Sequence, residues 1–271
     1  MEDTAHEHPP TASTPRIVPV LGSKGGTGRT TAVMQLAAAL ARQGRRVAVM
    51  DTTALGGTTE WIQDARAALP AGAELPFELL EAAGRAVPAT SAEIVLVDTD
   101  GTGQTFSRIQ TILDLAAVAL IPLQPSRIEV SALWATVDVR DALHPRLPVL
   151  ALLSRANPAT VIYREVRTLL AEEAVPTLTT SIPERVKYAD AVGTVPEASP
   201  AWDAAAAELA RCLFPPAREP VRRTSFDLPA STHARLRWAK HTTGKPMGQL
   251  IAEVVDAAYP EPIPTARSRT S

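Results

Sequence analysis

The chain has 271 residues, a net charge of −2, 45% hydrophobic residues and only 4% aromatic ones. That length accommodates one large domain and a small one, and a single cysteine, Cys212, excludes a disulfide framework and a thiolate metal site. The charge is unevenly spread: residues 1–216 carry 18 basic against 24 acidic side chains and residues 217–271 carry 9 against 5, a basic piece on an acidic body that suggests either a nucleic-acid-facing appendage or a solvated basic surface.

In chain order, residues 1–14 read as a disordered tail, acidic and rich in Pro, Thr and His, without the apolar stretch of a signal peptide. His6 and His8 in it are expected to be incidental. The apolar run 17–21 predicts a strand. It leads into Gly22-Ser23-Lys24-Gly25-Gly26-Thr27-Gly28-Arg29-Thr30-Thr31 and then an alanine-rich amphipathic segment, 32–42. A strand, a glycine-dense turn and a helix start make a phosphate-binding loop, in which backbone N–H groups converge and the helix dipole adds positive potential. The usual pattern ends G-K-[ST], with lysine on the β- and γ-phosphates and the hydroxyl on magnesium. Here Arg29 takes the lysine position, Thr30 supplies the hydroxyl, and a further lysine, Lys24, stands at the front.

Apolar runs at 47–51, 93–98, 117–121 and 147–153, the last broken by Pro148, predict further strands. Helical segments are expected at 58–69, 104–113, 126–143, 160–173 and 201–214, and an edge strand at 177–182. Near-continuous apolar strands alternating with helices imply a mainly parallel sheet covered on both faces: an α/β, doubly wound P-loop domain over residues 15–214. The longest apolar run, 115–123, is too short to cross a bilayer, so a cytoplasmic protein with no membrane partner is expected. Ligands of open α/β sheets lie beyond the strand C-termini, which puts Asp51 and Asp98 in one crevice. Asp98 is placed to reach magnesium, partly through water. The alternative is that both acids merely cap turns.

Residues 215–222 hold three prolines and read as a stiff linker. After it, 223–228 alternates like a strand, Pro229 opens a helix closed by Gly244, and Met247, Leu250, Ile251, Val254, Val255 and Ala258 mark one face of a second helix. Residues 260–271 read as a disordered tail.

The loop K-G-G-T-G-R-T-T resembles the deviant Walker A motif, K-G-G-x-G-K-[ST]-[ST], of ParA/MinD ATPases, and the resemblance covers residues 16 to about 213. Val49-Met50-Asp51-Thr52-Thr53-Ala54-Leu55-Gly56 sits where ParA proteins have D-x-D-P-Q-G, and Asp98-Thr99-Asp100-Gly101 where they have D-x-P-G. Ile121-Pro-Leu-Gln-Pro-Ser126 is similar to their I-P-x-x-P-S. Arg155 falls where base contacts lie, and Ile182-Pro183-Glu184-Arg185 resembles a late loop near the base. The short plasmid-partition branch is the better match. The resemblance implies ATP (or ADP) and Mg held by Lys24, Gly25, Gly26, Thr27, Gly28, Arg29, Thr30, Thr31, Arg155 and Pro183, with Lys24, Arg29 and Asp51 in catalytic roles and Thr30 and Asp98 at the metal. It further implies a nucleotide-sandwich homodimer in which Lys24 reaches the partner's phosphates, DNA binding, nucleoid association, and a ParB-like or centromere-binding partner protein. Two departures stand out. Arg29 is a planar fork in place of a compact ammonium, and Thr53 replaces the acid expected to position the attacking water, as Ala54 and Leu55 replace its Pro and Gln neighbours. Weak or absent hydrolysis follows unless another acid, such as Asp100, compensates.

Residues 223–259 resemble a ribbon-helix-helix module, in which two chains pair strands into a ribbon that enters the major groove. Phe226 and Leu228 would join Leu236, Leu250, Ile251 and Val254 in its core. Arg223, Ser225 and Asp227 would face the bases, while Lys245, Met247 and Gly248 would open the second helix against a phosphate. The alternative is a helical hairpin that packs on protein. The whole then reads as a ParA-like partition ATPase carrying its own DNA-binding module. The rival from another class is a transcriptional regulator whose degenerate nucleotide domain senses a ligand. A P-loop metabolic enzyme is disfavoured by the appended module.

Overall fold

The computed structural model describes residues 14–22, 26–81, 87–100, 110–215 and 228–258. The chain divides into two compact units, residues 1–216 and 217–271. In the first, β1 (Arg16–Val20), β2 (Val47–Asp51), β3 (Glu78–Leu80), β4 (Ile94–Asp98), β5 (Ala119–Leu123) and β6 (Val149–Leu153) form one sheet. Its order is β3-β2-β4-β1-β5-β6 and every pairing is parallel. β2, β4, β5 and β6 are buried at each residue, which is why their sequences run apolar without alternation.

The side-chain period of two splits that apolar content between two cores. Val18, Val20, Val49, Leu96, Leu120 and Leu152 pack with α1 (Arg29–Arg42), α2 (Gly57–Ala68) and α7 (Pro200–Leu213). Ile17, Met50, Val95, Val97, Ile121 and Leu153 pack with α3 (Gln110–Leu115), α4 (Arg127–Leu143) and α5 (Val161–Glu172). The sheet is thus doubly wound. Small side chains on α1 (Ala37, Ala38) and α7 (Ala205, Ala206), all fully buried, let these two helices pack closely. Pro19 lies within β1 although proline cannot donate to a ladder. β1 is joined to β5 on either side of it, by Ala117 N–H to the Ile17 carbonyl and Leu21 N–H to the Leu120 carbonyl, each at 2.8 Å.

One expectation needs correction. Residues 177–182 do not form a strand: they meet β6 at one bridge, Thr177 to Ala151, and by two further backbone hydrogen bonds, Leu178 N–H to the Ala151 carbonyl and Ile182 N–H to the Leu153 carbonyl. The N–H groups of Thr179 and Thr180 and the Thr180 hydroxyl donate to Glu208 of α7, so a side chain outcompetes the ladder for this backbone. Two short elements escaped the sequence reading: β3, and α6 (Val186–Asp190), at three and five residues too brief for periodicity to register. The helix expected at 104–113 starts at Gln110 among the described residues, 101–109 lying outside them.

In the second unit, α8 (Ala230–Thr243) ends at Gly244, whose φ of 71° is left-handed and whose N–H reaches the Lys240 carbonyl at 2.9 Å. α9 (Met247–Ala258) follows, and no residue of either helix is buried. The expected strand lies outside the described residues apart from Leu228.

Candidate functional site

The loop between β1 and α1 needs two left-handed residues, and Gly26 (φ 78°) and Gly28 (φ 85°) supply them. Gly28 is also the N-cap of α1, and neither a side-chain cap nor an acid in the first turn answers the helix's N–H groups. Such a terminus favours an anion. Thr27, Arg29, Thr30 and Thr31 complete the described part of the loop. Ser23, Lys24 and Gly25 lie outside the described residues.

Asp98 ends β4, in register with Val20 of β1 and Asp51 of β2, and is 1% exposed. Its Oδ2 accepts from Thr30 Oγ1 and Thr58 Oγ1, both at 2.6 Å. Its Oδ1 is buried with no hydrogen-bond partner among the described residues. Burial pushes this carboxyl above the ordinary carboxylate range, against the two threonine hydrogen bonds; Asp51 adds to the rise and Arg29 opposes it. A hard oxygen without a proton donor, beside the Thr30 hydroxyl, is the donor set a magnesium ion takes when phosphates and waters complete its shell. Among the described residues no three His, Cys, Asp or Glu side chains cluster as a metal cage. Thr58 was not anticipated. The signal for it was the hydroxyl pair Thr58-Thr59 at a glycine-initiated helix directly after an Asp-terminated strand.

Arg29 lies across the loop. Its Nε donates to the Thr99 carbonyl at 2.9 Å, and Nη1 to the Gly22 carbonyl at 3.3 Å and Thr27 Oγ1 at 3.2 Å. Burial lowers its proton affinity, and Asp98 and Asp100 act in the opposite sense. The guanidinium fork therefore ties loop to strand end, using donors that a lysine lacks.

Asp51 is held in a turn. Oδ1 accepts from the N–H and hydroxyl of Thr53 at 2.9 and 2.6 Å, and Oδ2 from Thr59 N–H at 2.8 Å, in the first turn of α2. This is the capping geometry that stood as the alternative to a catalytic role. Asp100 reaches the same turn, both its oxygens sharing Ala54 N–H at 3.1 and 3.2 Å.

A cleft of about 440 Å³ opens beside the loop, with Thr27, Gly28 and Thr31 on one side and Arg155 and Pro183 on the other. Arg155 is a non-glycine residue at φ 47°, the kind of strain that gathers at ligand sites. The cleft wall is fixed by Ser154 N–H on the Leu123 carbonyl and Ala156 N–H on the Ile182 carbonyl, at 2.8 and 2.9 Å. Trp202, which also lines the cleft, was not singled out from sequence because its helical spacing reads as core. Size alone would have chosen another place. A cleft of about 690 Å³ lies at the opposite, N-terminal ends of the strands, around Arg46, Phe77 and Ser91, and the described residues that line it include neither a helix N-terminus nor a glycine.

In the second unit, Lys245 Nζ pairs with Glu253 at 2.7 Å, Met247 opens α9, and Gly248 borders open space. Arg223, Ser225 and Asp227 lie outside the described residues.

A family model, the CobQ/CobB/MinD/ParA nucleotide-binding domain, matches residues 18–194. The chain is 33% identical over 156 residues to the maintenance of carboxysome distribution protein A of Gloeobacter kilaueensis, covering 56% of this chain and 68% of that one. Among solved structures, a candidate plasmid partition protein of Borrelia burgdorferi bound to AMPPNP has the same fold, with a TM-score of 0.57 at 12% identity, covering 74% of this chain and 99% of the other. Cobyrinic acid a,c-diamide synthase of Mycobacterium smegmatis, bound to an ATP analogue and magnesium, has a TM-score of 0.52 at 21% identity, covering 78% and 100%. With a phosphate loop, a buried strand-end aspartate and a matched span of that extent, the chain belongs to the CobQ/CobB/MinD/ParA nucleotide-binding domain family.

Proposed function

We propose that this protein is a ParA-like partition ATPase that binds ATP with magnesium as a homodimer, binds DNA, and hydrolyses ATP slowly. One observation carries the nucleotide reading: the loop lines the cleft of Arg155 and Pro183 through Thr27, Gly28 and Thr31, and its Thr30 holds Asp98, whose Oδ1 has no hydrogen-bond partner among the described residues. The loop N–H groups and α1 take the phosphates, Thr30 and Asp98 take magnesium, and the cleft takes the base. Magnesium, when bound, neutralises charge that develops on the phosphates.

Slow turnover follows from Arg29 and Thr53. Arg29 is engaged with the Thr99 and Gly22 carbonyls, and the Thr53 hydroxyl donates to Asp51 and accepts from Gly56 N–H. A dimer is supported by Leu55, Ile128, Val161 and Val186, four strongly exposed apolar side chains that follow β2, β5, β6 and the cleft loop and so lie toward the strand C-termini, where the nucleotide site opens. DNA binding is supported by the basic composition of residues 217–271. The ribbon-helix-helix reading adds that Leu250, Ile251 and Val254 of α9 find their cover in a second copy. The test is a titration of a fluorescent ATP analogue with and without magnesium, run beside a phosphate-release assay with DNA present. Magnesium-dependent binding with turnover well below that of an ordinary ParA protein is expected. No binding would end the nucleotide reading, and ordinary turnover would end the claim of slow hydrolysis.

A second reading, a nucleotide-responsive transcriptional regulator, is favoured by the same engagement of Arg29. An arginine fastened to its own loop suits a site that holds a ligand better than one that cuts it.

A further inference from the structure

We infer that Thr58 is a positioning residue of the magnesium site: its hydroxyl orients the Asp98 carboxylate and leaves Oδ1 for the metal. The inference rests on the reading of bound ATP and magnesium above. It goes beyond that reading by naming a residue that acts on the metal through Asp98.

An aspartate carboxylate turns easily about its last side-chain bond, where the torsion is broad and roughly two-fold. As a metal ligand it therefore needs an outer partner to hold its plane, and loss of such a partner costs about 10–100-fold in metal affinity. Two hydroxyls do the holding here. Thr30 Oγ1, in the first turn of α1, and Thr58 Oγ1, in the first turn of α2, each lie 2.6 Å from the same oxygen, Oδ2. Donors to an sp² oxygen prefer to lie near its plane. Two of them on Oδ2 thus orient the carboxylate, and Oδ1 is left with no hydrogen-bond partner among the described residues.

The two threonines differ in their other duties. Thr30 belongs to the phosphate loop, and in the reading above its hydroxyl oxygen is itself a ligand of the ion. Once that oxygen serves the ion, Thr58 is the one described donor that holds Asp98 independently of the metal. It is 0% exposed, so no water competes for its proton. Its backbone is fixed as well. Gly56 N–H donates to Thr53 Oγ1 at 3.1 Å, and Thr59 N–H donates to Asp51 Oδ2 at 2.8 Å. The first turn of α2 is therefore fastened, before and after Thr58, to the residues that end β2. A hydroxyl on a turn held in this way is a rigid reference for a carboxylate 40 residues further on.

The test uses the full chain and the variants Thr58→Val, Thr58→Ala and Thr58→Ser. Valine keeps the buried volume without the hydroxyl, alanine removes the hydroxyl with less bulk, and serine retains it. Binding of a fluorescent ATP analogue is measured in EDTA and then across a titration with magnesium chloride. The magnesium midpoint should rise about tenfold in the valine and alanine variants and stay near the parent's in the serine variant. Affinity in EDTA should match the parent in all three. A merely structural Thr58 predicts an unchanged magnesium midpoint, or a loss of affinity that is equal with and without magnesium, and either result overturns the inference. Where valine does not fold, alanine carries the comparison with serine; if neither folds and serine does, Thr58 serves the fold and the inference falls. Two other failures show in the parent alone. A parent that binds no analogue ends the nucleotide reading, and one that binds it equally in EDTA and magnesium ends the assignment of the metal.

Discussion

At the scale of single residues, Asp98 carries the conflict between stability and function. It is an anion removed from water, with two hydroxyls on one oxygen and nothing on the other among the described residues. Its proton affinity is raised first by burial, so ionisation works against the folded state and the stability that this group contributes is fullest at low pH, fading as pH rises through the elevated pKa. Asp98→Asn removes the charge. The variant should unfold at a higher temperature than the parent at neutral pH without magnesium, and the gap should close as the pH is lowered and the parent's Asp98 takes up its proton. The same substitution should abolish the magnesium dependence of nucleotide binding. A destabilised variant at neutral pH would mean that the hydrogen bonds of Thr30 and Thr58 to the ionised carboxylate outweigh desolvation.

At the scale of elements, Glu208 of α7 decides the shape of the segment that leads to the cleft. Although burial alone would raise its pKa, hydrogen bonds from the Thr180 hydroxyl and the N–H groups of Thr179 and Thr180, with Arg211 nearby, hold it below the ordinary value. A depressed carboxyl lends stability that is present above its unfolded pKa, about 4.3 for glutamate, and lost as pH falls through the folded value. Glu208→Gln should therefore cost about 1 kcal/mol near neutrality, measured by denaturant unfolding, and the penalty should vanish on acidification below that range. Because Ile182 N–H is fixed to the Leu153 carbonyl just downstream, the variant should also weaken binding of a base-bearing nucleotide more than binding of tripolyphosphate. This segment also marks what sequence could and could not reveal. Strands β1, β2, β4, β5 and β6 were legible because burial on both faces leaves an unbroken apolar record, and Thr30 and Asp98 because strand ends and glycine turns fix their places. Residues 177–182 carry a comparable β-rich pattern, yet the partner that decides them sits on a helix 28 residues on. No local window contains that information. The link from Asp98 to Thr58, across 40 residues, was hidden for the same reason.

At the scale of the whole molecule, two units of unlike chemistry share one chain, and covalent linkage raises the local concentration of each about the other. The first unit holds both hydrophobic cores. In the second, α8 and α9 bury none of their residues, and Trp238 and Val254 are 71% and 66% exposed. Two helices with so little covered surface among the described residues have a small hydrophobic contribution with which to offset their conformational entropy, so the second unit is expected to depend on a partner surface and the first is not. Ending the chain at Pro216 should accordingly leave the main thermal transition and the magnesium-dependent nucleotide affinity as they are. Sequence-specific DNA binding should disappear, and the steep fall of affinity with salt that phosphate contacts produce should go with it. In cells the same truncation separates the two readings of function: loss of replicon inheritance with transcription unchanged favours partition, and loss of repression with inheritance intact favours the regulator. A truncated chain that still shifts its own locus with full specificity would move the DNA-binding surface onto the nucleotide unit, and the ribbon-helix-helix reading of residues 223–259 would then fall.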